Sequence, residues 1–298
     1  MTFDASHPEV LDAVRRALAE DIGAGDITTE LCVPADASAQ GRFIAREPMT
    51  VAGVELLPVI FDSVPVGQAG SLRRVGNPPP AACEVHLCHK SGARLQAGDE
   101  IARVHGPARA LLTAERTALN FLQRLSGVAT LASAYARAVE GTGCRVLDTR
   151  KTTPGLRQLE KMAAAAGGVT NHRTGLFDAV LIKNNHIEAA GGVRAALERV
   201  REAPAGMKVE IEVRTRAELD EALACGAQHL LLDNLTPAEA REWIGYIAGR
   251  ATVELSGGIT LATARAYAEA GADFLSSGAI THSAPAVDIN FRLELQQR

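Results

Sequence analysis

From Gly143 onward the chain repeats one pattern: a short apolar run, a polar residue, then an Ala-rich stretch with helical spacing. The runs are Val146-Leu147, Ala179-Val180-Leu181-Ile182, Val209-Glu210-Ile211-Glu212-Val213, His229-Leu230-Leu231-Leu232, Thr252-Val253-Glu254-Leu255 and Asp273-Phe274-Leu275. Runs this short, separated by helical stretches, predict βα units with parallel strands and right-handed crossovers. An internal echo supports the reading. Thr215 to Leu230, with Cys225-Gly226-Ala227, matches Thr260 to Leu275, with Ala270-Gly271-Ala272, at an offset that fits two such units. Room exists for about six or seven units, too few for a full eight-stranded barrel. The expectation is an α/β fold in which an incomplete, six- or seven-stranded barrel occupies residues 139–288.

The first half reads differently. Ser6-His7-Pro8-Glu9 looks like a capping box, followed by Val10, Leu11, Val14 and Leu18 at helical spacing, with Gly23 to Asp26 ending the helix. Residues 38–105 alternate short apolar runs with Gly and Pro and predict strands and turns, with a Pro- and Gly-rich loop over 64–82. Pro107 opens a helical segment to about Glu140, with a break expected near Ser126-Gly127. Its apolar stripe is Leu111, Leu112, Leu119, Leu122 and Leu125; Arg116 and Asn120 share another face. An α+β domain with linker helices is expected over residues 1–138, and a final segment, 289–298, returning to it.

Composition removes several classes. With 47% hydrophobic and 22% charged residues the chain is too apolar for disorder. No apolar run approaches the roughly 18–20 residues of a membrane span. The first nine residues lack the basic and apolar regions of a signal peptide. A net charge of −4 and only one Trp, three Tyr and seven Phe disfavour nucleic-acid binding. Five scattered Cys fit a reducing cytoplasm.

Charge is locally uneven. Between Arg145 and Asn185, Arg145, Arg150, Lys151, Arg157, Lys161, Arg173 and Lys183 face only Asp148, Glu160 and Asp178, a local +4 inside an acidic protein. Each expected strand also ends in polar groups: Asp148-Thr149-Arg150-Lys151, Lys183-Asn184-Asn185, Glu212, Asp233-Asn234, Ser256-Gly257-Gly258 and Ser277-Gly278-Ala279. Barrel strands carry function at these ends. Arg150, Arg173, Lys151 and Lys183 are donors for anions. Glu212 and Asp233 among anions call for a cation, and Mg²⁺ takes oxygen ligands of this kind. The Gly-containing turns after the last two strands can bring backbone N–H groups to a phosphate. The sum is a pocket for a phosphorylated, Mg²⁺-bound molecule beside a carboxylate-bearing one.

Plainer readings stand beside these. Arg157 and Lys161 fall on an expected helix and read as solvated charges. Glu212 and Asp233 fit internal salt bridges, Gly257-Gly258 an ordinary turn, and His172 a structural histidine. Cys83, His86, Cys88 and His89 alternate like a strand and lack the paired spacing of a zinc site. Neither G-x-x-x-x-G-K-[ST] nor G-x-G-x-x-G nor G-x-S-x-G occurs, and no Asp-Asp pair.

These motifs together resemble the quinolinate phosphoribosyltransferase family. The resemblance rests on Glu115 to Gly127, Asp148-Thr149-Arg150-Lys151-Thr152-Thr153-Pro154-Gly155, Asn171-His172-Arg173, Leu181 to His186, Leu232-Asp233-Asn234, Ser256-Gly257-Gly258-Ile259 and Thr281-His282-Ser283, with Glu20 to Asp26 near the start. They follow in family order over nearly the whole chain. The resemblance implies an N-terminal α/β sandwich and a C-terminal barrel of fewer than eight strands. It implies a cytoplasmic homodimer with a shared active site, some members forming hexamers. It also implies the conversion of quinolinate and phosphoribosyl pyrophosphate into nicotinate mononucleotide, pyrophosphate and CO₂ in NAD synthesis. Carried over by position, Arg150, His172, Arg173, Lys183 and the partner's Arg116 would hold quinolinate. Lys151, Glu212, Asp233, Ser256, Gly257, Gly258, Gly278 and His282 would hold phosphoribosyl pyrophosphate, with Glu212 and Asp233 on Mg²⁺. Lys151, Lys183, Glu212 and Asp233 would be catalytic. Asn184, and Ala164 to Val169, depart from the family pattern. Competing readings are a molybdenum-transport-associated homologue, a Schiff-base aldolase using Lys183, and a non-catalytic metabolite-binding protein.

Overall fold

A computed structural model describes residues 2–64, 83–204 and 206–295. The Pro-rich loop expected over 64–82 falls, from residue 65, outside the described residues. In chain order the elements are α1 (Pro8–Ile22), α2 (Ile27–Cys32), β1 (Ser38–Ala45), β2 (Met49–Thr50), α3 (Leu56–Ser63), β3 (Glu84–Leu87), β4 (Arg94–Leu95), β5 (Glu100–Pro107) and the long α4 (Ala108–Ala138). Then follow β6 (Arg145–Leu147), α5 (Arg157–Ala166), β7 (Val180–Ile182), α6 (Asn184–Ala190), α7 (Val193–Arg199), β8 (Val209–Val213), α8 (Arg216–Ala224), β9 (His229–Asp233) and α9 (Pro237–Ile247). The last are β10 (Thr252–Ser256), α10 (Leu261–Ala268), β11 (Phe274–Ser276), α11 (Ala279–His282) and β12 (Ile289–Leu295). No helix among the described residues is long and apolar enough to cross a membrane.

These elements form two compact units. The first takes the residues up to Leu131, Thr153–Gly167 and the segment from Ala284 onward. Its antiparallel sheet runs β12-β1-β5-β3, so the last strand of the chain pairs with the first. Phe43 on β1 lies opposite Phe291 on β12, their rings 4.8 Å apart, and Phe61 of α3 meets Phe43 edge-on at 6.2 Å. This aromatic cluster, with buried Leu57 and Ile60, closes one sheet face. In α1 the cap is His7, whose ring accepts from the Glu9 amide, rather than Ser6; Pro8 fills the first turn. The helix α3 replaces part of the expected run of strands, because Leu56, Leu57, Ile60 and Phe61 recur with helical spacing and are all buried.

Two further expectations for this unit fail, both because distant contacts override local cues. The helix α4 runs unbroken through Ser126-Gly127. A Cβ at Gly127 would stand 2.0 Å from the Pro285 carbonyl oxygen, so glycine there permits a close crossing rather than a bend. Lys161 on α5 is not a solvated charge; it is fully buried, like its neighbour Glu160. The Glu160 carboxylate accepts from Arg124 Nη2 at 2.7 Å and from the Thr153 amide at 3.0 Å, forming a buried polar knot beneath α4.

The second unit covers Ala132–Thr152 and Gly168–Ser283. Its six strands are those the apolar runs foretell, in a parallel sheet ordered β6-β11-β10-β9-β8-β7. A single parallel bridge, Leu147 to Thr170, adds to the outer side of β6. The helices between strands begin with capping threonines, Thr215, Thr236 and Thr260, the first and last being the equivalent positions of the internal echo. The Cys83 to His89 segment includes β3, a strand, as its alternation foretells.

Candidate active site

The ends of the parallel strands surround a cavity of about 690 Å³, a size that holds a small-molecule ligand. Its walls include Arg150 and Lys151 after β6, His172 and Arg173, Lys183 after β7, Asp233 at the end of β9, Ser256, Gly257 and Gly258 after β10, and Gly278 and His282 around α11. Eleven of the thirteen residues picked from the sequence therefore line one wall system. Glu212 joins through Lys183, whose Nζ donates to Glu212 Oε2 at 3.1 Å. Arg116 is outside this lining and is exposed on α4.

One side of the cavity is cationic and tightly braced. Asp148, fully buried at the end of β6, accepts from the His172 amide at 2.8 Å and from Asn171 Nδ2 at 2.6 Å. That pins the 171–173 segment beside Arg150. Arg173 donates from Nη1 to the Ala179 carbonyl at 3.1 Å. Burial and the charge of Arg150 both depress the Arg173 pKa, with Asp178 and Glu210 acting the other way. The Lys151 carbonyl accepts from Thr281 Oγ1 at 2.7 Å, which ties the β6 loop to α11.

His172 has partners that the sequence reading missed. Its Nε2 lies 3.3 Å from Glu210 Oε2 and 3.4 Å from Glu254 Oε2. Both acids are buried, on β8 and β10. Burial opposes a charged ring, but the hydrogen bonds and charges of Glu210 and Glu254 prevail and push its pKa up to about 9. The Arg173 amide nitrogen lies 2.7 Å from Nδ1, and Nε2 is the ring nitrogen that faces the carboxylates. Alternation was the available signal: in Val209-Glu210-Ile211-Glu212-Val213 both acids fall on the face opposite Ile211.

The opposite side is built from turns. Gly257 has φ +93° and a Cβ there would stand 2.3 Å from Asn234 Oδ1, so only glycine lets this loop pass the end of β9. Ser277 Oγ donates to the Ile259 carbonyl at 2.8 Å and Tyr135 OH to the same oxygen at 3.3 Å, fixing the loop from behind. His282 Nδ1 is 2.6 Å from Ser283 Oγ. Small residues and a histidine line this side, and its glycines permit the close backbone approach that a phosphate needs.

Glu212 and Asp233 lie at neighbouring strand ends. Burial first, then the charge of Glu212, raises the Asp233 pKa, with Lys183, Lys151 and Arg214 acting the other way. Two carboxylates side by side offer the hard oxygen ligands that Mg²⁺ takes.

Residues 26–126 match the family model for the quinolinate phosphoribosyl transferase N-terminal domain, and residues 128–292 match that for the C-terminal domain. The chain is 41% identical over 299 residues to the nicotinate-nucleotide pyrophosphorylase (carboxylating) of Mycobacterium leprae, covering 98% of this chain and 100% of that one. It is 35% identical to the probable nicotinate-nucleotide pyrophosphorylase (carboxylating) of Bacillus subtilis, covering 97% and 95%. The solved nicotinate-nucleotide pyrophosphorylase of Francisella tularensis superposes with a TM-score of 0.87 at 34% identity, covering 98% of this chain and all of that one.

Proposed function

The chain belongs to the quinolinate phosphoribosyltransferase family, and from that premise we propose how its residues perform the family's reaction. The protein is a pentosyltransferase of NAD synthesis. It transfers phosphoribosyl from phosphoribosyl pyrophosphate to quinolinate and releases CO₂, giving nicotinate mononucleotide and pyrophosphate.

In our reading quinolinate lies against the cationic side. Arg150 and Arg173 clamp its carboxylates, His172 adds the positive charge of its ring beside them, and Arg116 of the partner subunit completes the grip in a homodimer, with a hexamer as a further assembly. The 5-phosphate sits on Ser256, Gly257, Gly258, Gly278 and His282. The quinolinate nitrogen attacks C1 of the ribose as pyrophosphate departs, so positive charge builds at C1. Glu212 and Asp233 stabilise that charge, while Lys151 and Lys183 neutralise the leaving pyrophosphate. The new N–C bond makes the ring nitrogen quaternary. When CO₂ departs, its bonding pair stays on the adjacent ring carbon, stabilised by that positive nitrogen, and a proton from solvent then takes the place of the carboxylate, so decarboxylation proceeds without an organic cofactor. Glu212 and Asp233 would also hold Mg²⁺, which when bound supplies charge neutralisation for the pyrophosphate oxygens. Positioning and preorganised charge provide most of the acceleration. We place the enzyme in the cytoplasm.

The convergence of four cationic side chains and the Gly257-Gly258 turn on one cavity carries this reading. The engagement of Lys183 by Glu212 suits a positioned point charge better than an imine-forming nucleophile, which sets the aldolase reading aside. The test is incubation with quinolinate, phosphoribosyl pyrophosphate and Mg²⁺, following nicotinate mononucleotide. Its formation, lost on chelation of the metal, is expected; no product under saturating substrates overturns the reading.

A further inference from the structure

The starts of the barrel strands enclose a second cavity, of about 460 Å³, lined by Gly143, Arg145, Lys208, His229, Thr252, Asp273 and Phe274. None of these residues enters the mechanism above. Arg145 opens β6, His229 opens β9, Thr252 opens β10 and Phe274 opens β11, so this mouth lies at the opposite ends of the strands from the first. The Arg145 guanidinium lies 4.6 Å over the Phe274 ring, and Lys208 Nζ is 5.9 Å from the same ring. A single aromatic ring thus has two cations about it at one opening. His229 Nδ1 is buried there without a hydrogen-bond partner. The one acid, Asp273, accepts from the Val253 amide at 2.8 Å. Two gathered cations, a hydroxyl and an orphaned ring nitrogen call for a small oxyanion that carries a proton to donate, as phosphate does.

The lower mouth is joined to the upper cavity by side chains. Lys208 Nζ lies 3.3 Å from Glu210 Oε2, and the same oxygen lies 3.3 Å from His172 Nε2, which lines the upper cavity. The Lys208 ammonium has two alternative partners, Glu210 or an anion in the lower mouth. When it leaves Glu210, that buried carboxylate is left to His172.

We propose that the lower mouth of the barrel binds a small oxyanion of the phosphate class, and that its occupancy is relayed through Lys208 and Glu210 to His172. The relay rests on the reading of His172 as a quinolinate ligand; the binding site does not. Coupling of this kind is reciprocal, so quinolinate in the upper cavity also changes anion affinity below.

Inorganic phosphate, titrated by calorimetry into the full chain, is the probe. Wild type is expected to bind phosphate at two sites, and Arg145→Gln to weaken one of them at least tenfold while sparing the other. Lys208→Gln should weaken the same site. No phosphate binding, or binding that neither variant weakens, overturns the lower site. For the relay, phosphate should shift the quinolinate dissociation constant at least threefold in wild type and leave it unmoved in Arg145→Gln, which keeps the Lys208–Glu210 pair. A shift that persists in Arg145→Gln, or none in wild type with the lower site filled, overturns the relay. If quinolinate binds neither protein, the proposed function fails while the phosphate titration still judges the lower site.

Discussion

Lys183 donates from Nζ to Glu212 Oε2 over 3.1 Å, an exposed ammonium steered by a buried carboxylate. The lysine follows β7, and the glutamate occupies the fourth position of the adjacent β8. Neighbouring strands thus fix where a mobile four-carbon side chain presents its charge. Lys183→Ala is expected to lower kcat/KM by at least about a hundredfold, the scale seen when one preorganised charge contact is removed. Circular dichroism should show the fold intact. Turnover near the wild-type rate would remove Lys183 from the mechanism.

Arg116 and Arg173 test whether sites are shared between subunits. Each of Arg116→Ala and Arg173→Ala should abolish turnover alone. Mixed and allowed to exchange, the two chains build one intact site per heterodimer, so about half of wild-type activity per heterodimer, or about a quarter for a randomly exchanged mixture, is expected on the symmetry of a two-fold dimer. Heterodimers verified by mass spectrometry that stay inactive would refute sharing.

His172 makes stability depend on pH. Its pKa rises from about 6.5 in the unfolded chain to about 9 in the fold, through Glu210 and Glu254 acting against burial. A group with a raised folded pKa stabilises fully below its unfolded value, and the gain is lost as pH climbs through the folded one. The melting temperature should therefore fall between about pH 6.5 and 9. In His172→Gln that slope should flatten. An equal slope in both proteins would show that other groups set it.

Gly127 separates local propensity from tertiary demand. Propensity alone makes Gly127→Ala stabilising by up to about 1 kcal/mol in a helix interior. The Pro285 carbonyl, 2.0 Å from where the methyl carbon would sit, makes it destabilising instead, by about 3 kcal/mol on the scale of overpacked cores. Urea denaturation of the two proteins decides the sign.

The strand ends were legible because a strand buried on both faces is a short apolar run, and the residue leaving it must be polar to meet solvent or ligand. That logic found Arg150, Lys183, Asp233 and Ser256 without reference to partners. It could not find Glu210 and Glu254 as the supports of His172. They lie on β8 and β10, with β9 between them, and reach one histidine only because the sheet curves and turns its inner face upon itself. Lys161 shows the same limit: its sequence neighbourhood is that of a surface helix, and only the packing over α5 takes it from water.

By itself, then, the sequence determined the parallel barrel, its six strands, the polar mouth and the family, since each of these follows from patterns within a few residues or from ordered motifs. The tertiary structure alone decided the unbroken course of α4, the burial of Glu160 and Lys161, the carboxylates behind His172 and the second mouth at Arg145 and Lys208. Each of these depends on groups far apart in the chain meeting across a packed interior, where close approach and loss of water, rather than local preference, set the energy.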